Sequence, residues 1–141
     1  MKISSFEQPL PDGTTLAVYN NDNLIFTSSA SWLHPLFDLE KFFASYSGPC
    51  HDLSAHDKAV GKAAAALLVR LGIRHIHTEL ASSLAVRFLD EAGIPITYDK
   101  KVERILCATE GLLANVDDIK EIYSILRMRM ETVSGTQPGK P

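Results

Sequence analysis

The chain has little cysteine, no excess of basic residues and no long apolar run, and each absence excludes a class of protein. Its two cysteines, Cys50 and Cys107, are too few for a disulfide scaffold, and both are expected as thiols in a reducing cytoplasm. The formal net charge of −3 argues against a sequence-independent nucleic-acid binder, which needs a basic surface. No apolar stretch reaches the roughly 18 residues that span a bilayer, and no signal peptide opens the chain. We therefore expect a cytoplasmic protein without nucleic-acid or membrane partners.

Several catalytic motifs are also missing. The chain has no Gly-rich phosphate loop, no nucleophile elbow and no paired CxxC. What it has is ordinary globular material: 141 residues, 45% hydrophobic and 22% charged, enough for one core. We expect a single domain over residues 1–131 and a disordered tail over 132–141, where Ser, Gly, Gln, Pro and Lys dominate.

The apolar pattern predicts a hairpin followed by alternating helices and strands. Such an order implies an α/β protein with a mixed sheet covered by helices. Ligands in such sheets bind outside the carboxyl ends of strands, near helix N-termini. The predicted strands cover residues 13–19, 24–27, 73–80, 94–98 and 100–106. The predicted helices lie around residues 36–43 and over residues 57–71, 83–92 and 116–130.

The segment 57–71 is the strongest predicted helix, because it holds a run of four alanines and ends before Gly72. Within it, Asp57, Gly61 and Ala65 would share one face. Gly61 then serves either close packing on the sheet or the approach of a ligand. In the second case Asp57 would be a base or an anchor and Lys58 would hold an anion at the helix N-terminus.

A second candidate position lies at the end of the strand 73–80. Glu79 ends this strand, and Ser82 and Ser83 open the following helix. Simple helix capping explains the two serines, with Glu79 in solvent. Alternatively, Glu79 faces the same pocket as Asp57, and two carboxylates that share a site raise the pKa of one of them.

Two further groups of residues have both a chemical and a purely structural interpretation. His75, His77 and Glu79 alternate on one strand face, but same-face neighbours lie about 7 Å apart and rarely converge on one ion, so no metal site is expected. Cys107, between Leu106 and Ala108, is either a small buried hydrophobe or a thiolate nucleophile.

The chain resembles a small uncharacterised prokaryotic family, a domain of unknown function with a cytidine-deaminase-like fold. The resemblance covers about residues 14–110 and is carried by the hairpin, His34-Pro35-Leu36, the Asp57-to-Ala65 segment with its Asp-Lys-x-Val-Gly pattern, Glu79-Leu80-Ala81-Ser82, and Cys107-Ala108-Thr109-Glu110. Two positions depart from the family pattern. Ala108 and Thr109 replace Pro and Met, and Trp32 stands where a glycine is expected.

The resemblance implies a three-layer arrangement with helices on both faces of a mixed sheet. Deaminases of this fold hold zinc with His/Cys-x-Glu and Pro-Cys-x-x-Cys segments. Ala81 and Leu84 stand where the thiolates belong, so the resemblance implies neither zinc nor another cofactor, and no hydrolytic deamination by that route. It also implies one pocket lined by Asp57, Lys58, Glu79, Ser82 and Cys107.

Three functions follow as hypotheses. The preferred one is a domain that binds a small polar or anionic metabolite at paired helix N-termini, with Lys58, Gly61, Ser82, Ser83 and Glu110 as binding residues. The second is a zinc-independent enzyme with Cys107 as nucleophile, Asp57 or Glu79 as acid/base and Lys58 stabilising negative charge. The third is a structural or oligomer-forming module, such as a homodimer.

Overall fold

The structure is a computed structural model that describes residues 5–105 and 108–136. A short 3₁₀ turn at Ser5–Glu7 precedes five strands and five helices. In chain order these are β1 (Leu16–Asn20), β2 (Asn23–Ser28), α1 (His34–Ser45), β3 (Leu53–Val60), α2 (Lys62–Arg70), β4 (His75–Ser82), α3 (Ser83–Ala92), β5 (Ile96–Val102), α4 (Ala108–Leu112) and α5 (Ile119–Thr136).

The five strands form one mixed sheet in the order β2-β1-β3-β4-β5. β1 pairs antiparallel with β2 and β3, whereas β3, β4 and β5 run parallel. The hairpin β1–β2 is confirmed, and Asn21 takes a left-handed φ of 54° in its turn. The α/β class with a mixed sheet is confirmed as well. β5 is one continuous strand, where the sequence analysis divided residues 94–106 between two.

The predicted helix over residues 57–71 is wrong in its first third. Residues Leu53–Val60 form the central strand β3, and α2 begins only at Lys62, after the extended Gly61. The Ala and Lys of this segment favour helix by local propensity and its Asp is uncommon in strands, but pairing with both β1 and β4 overrides these preferences. Asp57, Gly61 and Ala65 therefore do not stack along one helix face.

The helices cover one face of the sheet. α2 lies at the centre of this layer, buried along Lys62–Leu68, and α1, α3, α4 and α5 all pack against it. In the described residues the opposite face is covered by the 3₁₀ turn, whose Phe6 ring lies 6.1 Å from the ring of His75. Helices on both faces are therefore wrong for this part of the chain. Pro9 and Pro11 follow the turn and keep this segment from extending as a helix.

Trp32 occupies the position where the family resemblance leads us to expect glycine. Its φ of 58° is left-handed, the conformation that glycine adopts freely and that costs another residue about 1 kcal/mol. Trp32 packs against the core, and its ring centroid lies 5.8 Å from that of His34. The partial burial of this large indole against the core offsets the backbone strain.

The last helix begins at Ile119 and extends through Thr136. The division of the chain at residue 131 stays a prediction, since residues 137–141 lie outside the described part. No helix among the described residues has the length and apolarity needed to cross a membrane.

Candidate functional site

Two helices begin side by side where the parallel strands β3 and β4 end. α2 starts at Lys62 directly after β3, and α3 starts at Ser83 directly after β4. Ser82 caps α3, because its hydroxyl accepts a hydrogen bond of 3.1 Å from the Ala85 N–H. α2 has no side-chain cap from its own N-cap residue, Gly61. A group from elsewhere in the chain satisfies it.

That group is the carboxylate of Glu110, which is 3% exposed. Its Oε2 accepts hydrogen bonds from the Lys62 N–H at 2.7 Å and from the Ser82 hydroxyl at 2.9 Å. Its Oε1 accepts a third from the Ile105 N–H at 2.9 Å. A negative group at the start of α2 is also favoured by the helix dipole. We call Gly61, Lys62, Ser82, Ile105 and Glu110 the Glu110 network.

Gly61 is required by this network for a steric reason. A Cβ at this position would lie 2.8 Å from Glu110 Oε2, closer than real Cβ contacts. The sequence analysis predicted that Gly61 permits a close approach, and what approaches is the protein's own carboxylate.

Lys62 is a buried cation that the sequence analysis did not select. Its Nζ lies 2.7 Å from Asp117 Oδ1, and the Asp117 side chain is 75% exposed. It also donates to the Ala114 carbonyl at 3.4 Å. This ion pair joins the start of α2 to the segment between α4 and α5. Only tertiary contact could reveal the role of Lys62, because its two partners lie 52 and 55 residues away from it in the sequence.

Asp57 lies on β3, on the face that the helices cover. Burial raises the pKa of its carboxyl from 3.8 to about 7, and hydrogen bonds from the backbone of Lys58 and Ala59 oppose this rise in part. Among the described residues no cation pairs with it. A carboxyl group with a pKa near 7 exchanges its proton in the physiological range, which is a common property of functional sites.

The strands separate Asp57 from two of its proposed partners. Successive side chains of a strand point to opposite faces, so Lys58, which is exposed, points away from Asp57. Asp57 is in register with Thr78 of β4, which places exposed Glu79 on the other face as well. The structure therefore does not bring Asp57, Lys58 and Glu79 into one pocket, and Glu79 is not a second carboxylate beside Asp57.

Asp57 and the Glu110 network are nevertheless neighbours along β3. Asp57, Ala59 and Gly61 alternate onto the same face, and about 13 Å of extended chain separates the first from the last. Ala59 between them is small and exposed. The pairing of β1 with β3 ends at Asp57, so no β1 residue covers Ala59. We call Asp57, Ala59, Gly61, Ser82 and Glu110 the edge notch.

The opposite face of the sheet carries a buried histidine pair, His56 and His77. Their rings meet at 84° with centroids 4.7 Å apart. His77 Nδ1 lies 2.7 Å from the Thr97 hydroxyl, whereas His56, 2% exposed, has no well-formed hydrogen bond at either nitrogen within the described residues. Burial and then His77 lower the pKa of His56, opposed by the backbone of Gln8, by Glu79 and by the backbone of Phe6. His56 is thus a core residue.

In residues 5–105 and 108–136, no three histidine, cysteine or acidic side chains gather in a way that could hold a metal ion. Cys107 lies outside the described residues, so its predicted role as a nucleophile stays a prediction. Ser83 is placed beside the Glu110 network, but its hydroxyl donates to the Val102 carbonyl at 3.3 Å.

Comparisons with known proteins give a family and no activity. Residues 8–130 match the model of a domain of unknown function, DUF1893. The crystal structure of a DUF1893 family protein from Thermotoga maritima is similar, with 32% sequence identity, a TM-score of 0.72, and coverage of 82% of this chain and 80% of that one. No curated protein matches the chain. The chain belongs to the DUF1893 family.

Proposed function

We propose that this DUF1893 domain binds a small polar ligand in the edge notch. The observation that carries the proposal is Asp57, a buried carboxyl with a pKa of about 7 and no cationic partner among the described residues. A buried carboxyl without a cationic partner lowers the free energy of unfolding at every pH at which it is ionised. A ligand that hydrogen-bonds to Asp57 would recover that cost on binding.

The notch offers two different carboxyl groups to a ligand. With a pKa of about 7, Asp57 gains and loses its proton near neutral pH, so it can both donate and accept a hydrogen bond. Glu110 already accepts hydrogen bonds from Lys62, Ser82 and the Ile105 backbone. Its carboxylate occupies the amides at which an anionic ligand would bind. The proposed ligand is therefore neutral or cationic, up to about 13 Å long, and rich in hydrogen-bond donors.

A deaminase-like arrangement is part of this proposal. It is supported by the mixed sheet with parallel β3, β4 and β5 and by the two helices that start at adjacent strand ends. In zinc deaminases those helix starts carry the metal ligands. Here the corresponding segment holds Ala81 and Leu84 where thiolates would stand, and Glu110 binds between the two helix starts.

The test begins with mass spectrometry of the purified protein under native and denaturing conditions, followed by thermal-shift titration with polar amines, nucleosides and amino acids. Ala59→Phe fills the notch and should abolish binding of any compound found. Ala92→Phe, at an exposed alanine of α3, is the matched control and should bind normally. Equal binding by both variants would remove the notch as the site. A stable homodimer that buries Ala59 would instead favour the structural module.

A second candidate, acid–base catalysis, is favoured by the same Asp57, because a pKa near the working pH suits proton transfer. In this version Cys107 is the nucleophile and Asp57 its acid/base partner. This candidate is tested by alkylation with a limiting amount of iodoacetamide, followed by peptide mass mapping of the modified cysteines. Cys107 should be alkylated faster than the exposed Cys50, and an unreactive Cys107 removes the candidate. Exposed Cys50 as a free thiol also fits the cytoplasmic location that we propose.

A further inference from the structure

A second depression lies between α3 and the edge strand β5, and it shares no residue with the edge notch. Its volume is about 510 Å³, within the range of small-molecule sites. Val86 on α3, Ile94 after it and Ile96 on β5 form an apolar floor, and all three are only half-buried. We call this depression the α3–β5 groove.

An aromatic ring forms one wall of the groove. Tyr98 is 39% exposed, one of the most exposed large hydrophobic side chains of the described part of the chain. It is in register with Thr78, on the face that the helices cover, but it lies on the outermost strand, where no neighbouring strand shields it. Its ring is thus available for stacking with a planar ligand.

The charged residues of the groove are without partners. The side chains of Arg87 and Lys101 line it and make no hydrogen bond or ion pair with any other described residue. Asp90, also on the lining, is equally unpaired, although it lies three residues from Arg87 on the same helix. Elsewhere in the layer, Arg70 and Arg127 both bind Glu40. Two free cations and one free carboxylate give the groove a net positive charge.

We propose that the α3–β5 groove binds a planar aromatic anion. The ring would lie on the apolar floor beside Tyr98, and the anionic group would bind Arg87 and Lys101. A guanidinium forms paired hydrogen bonds with a phosphate or carboxylate, and these charge-assisted bonds are stronger than neutral ones. Asp90 limits the site to ligands with a single anionic end, because a second negative group would face its carboxylate. This proposal does not depend on the edge notch.

The experiment is a titration of ¹⁵N-labelled protein with 1-naphthyl phosphate, followed by amide chemical shifts. Inorganic phosphate and 1-naphthol are the half-ligand probes. Shifts should concentrate on residues 83–101, and each half-ligand should bind at least about tenfold more weakly than the whole. Arg87→Ala should weaken binding of 1-naphthyl phosphate about tenfold and leave 1-naphthol unchanged. Tyr98→Ala should weaken both aromatic probes.

The matched control is Arg74→Ala, at an exposed arginine outside the groove, which should bind like the unmodified chain. Thermal melts of each variant establish that it is folded before its affinity is compared. Equal affinity of the Arg87→Ala and Arg74→Ala variants would overturn the proposal. So would shifts spread over other surfaces, or a concentration-dependent dimer that protects the β5 edge.

Discussion

Two clusters of buried polar groups on the parallel strands differ in how completely their hydrogen bonds are satisfied. In the Glu110 network both carboxylate oxygens accept hydrogen bonds, three in all. In the histidine pair, His77 is hydrogen-bonded to Thr97, but His56 has no well-formed partner within the described residues. Both clusters are almost fully buried, so exposure does not explain the difference.

The comparison shows that burial has different consequences for a carboxylate that accepts several hydrogen bonds and for a side chain that makes no well-formed hydrogen bond. A buried carboxylate with three donors fixes the elements that supply them. Glu110 thereby links α2, α3 and α4. A buried imidazole without partners is held neutral, because its charged form would lose the solvation that water provides. Asp57, one residue after His56 but on the other face, lies between these two cases, because burial raises its pKa although the Lys58 and Ala59 backbone N–H groups donate to its carboxyl.

The largest effect is expected from Glu110→Ala. The substitution leaves the Lys62 N–H, the Ser82 hydroxyl and the Ile105 N–H without their acceptor, and hydrogen bonds to a charged group contribute about 1.5–3 kcal/mol each. We expect the free energy of unfolding to fall by about 5 kcal/mol in urea denaturation followed by circular dichroism. Glu103→Ala, at an exposed glutamate, should change it by less than about 0.5 kcal/mol.

Gly61 sharpens this measurement. Gly61→Ala should destabilise the native chain, because the new Cβ meets Glu110 Oε2, and should cost much less in the Glu110→Ala background. Equal costs in both backgrounds would contradict the close packing of Gly61 on the Glu110 carboxylate.

The next effect is the pH dependence produced by Asp57. Its pKa is about 7 in the folded chain and about 3.8 when unfolded, so the folded state binds the proton more tightly. Its contribution to stability is therefore fully present below pH 3.8 and is lost as the pH rises through 7. Asp57→Asn should remove this loss and raise stability at pH 8 by up to about 4 kcal/mol relative to the unmodified chain.

Urea midpoints at pH 5, 6, 7 and 8 measure this difference. Asp38→Asn, at an exposed aspartate of α1, is the control and should leave the pH profile unchanged. A profile for Asp57→Asn that runs parallel to that of the unmodified chain would show that Asp57 is not a buried, protonatable group.

The smallest effect is expected at His56, with the opposite dependence on pH. Folding lowers the pKa of His56, so the free energy of unfolding has no penalty from this residue above its unfolded pKa of about 6.5. The free energy of unfolding falls as the pH drops below that value. His56→Phe should flatten this acid limb and stabilise the fold by about 1 kcal/mol at pH 5, since it removes a buried group without partners. His51→Gln, at an exposed histidine, should keep the acid limb.

Local patterns predicted the hairpin, α1 and α3 well, because each has its own signals. Ser82 caps α3, as expected from the sequence, and Gly93 ends this helix with a left-handed φ of 75°. β3 has no such signal. Its alanines and lysine favour helix locally, and only the strands on both sides of it fix it as the central strand.

The candidate site divides in the same way. Asp57, Gly61, Ser82 and Glu110 could be selected from the sequence, Asp57 and Gly61 as members of a predicted helix, Ser82 as a helix cap and Glu110 through the family resemblance. Their grouping could not. The sequence analysis placed Glu79 and Lys58 beside Asp57, and strand alternation places both on the opposite face. Lys62, His56 and the α3–β5 groove were not selected. The residues that contact Lys62 and His56 are distant from them in the sequence, and the groove forms only where α3 packs beside β5.

The sequence by itself determined the α/β class, the hairpin β1–β2 and the helices α1 and α3. These depend on interactions between residues a few positions apart, or on residue identity alone. Only the tertiary structure decided that residues 53–60 form a strand, that Glu110 satisfies the start of α2, and that His56 and Asp57 are buried on opposite faces. Burial and long-range hydrogen bonds decide these features, because the free energy of a polar side chain depends on which distant groups the fold brings to it.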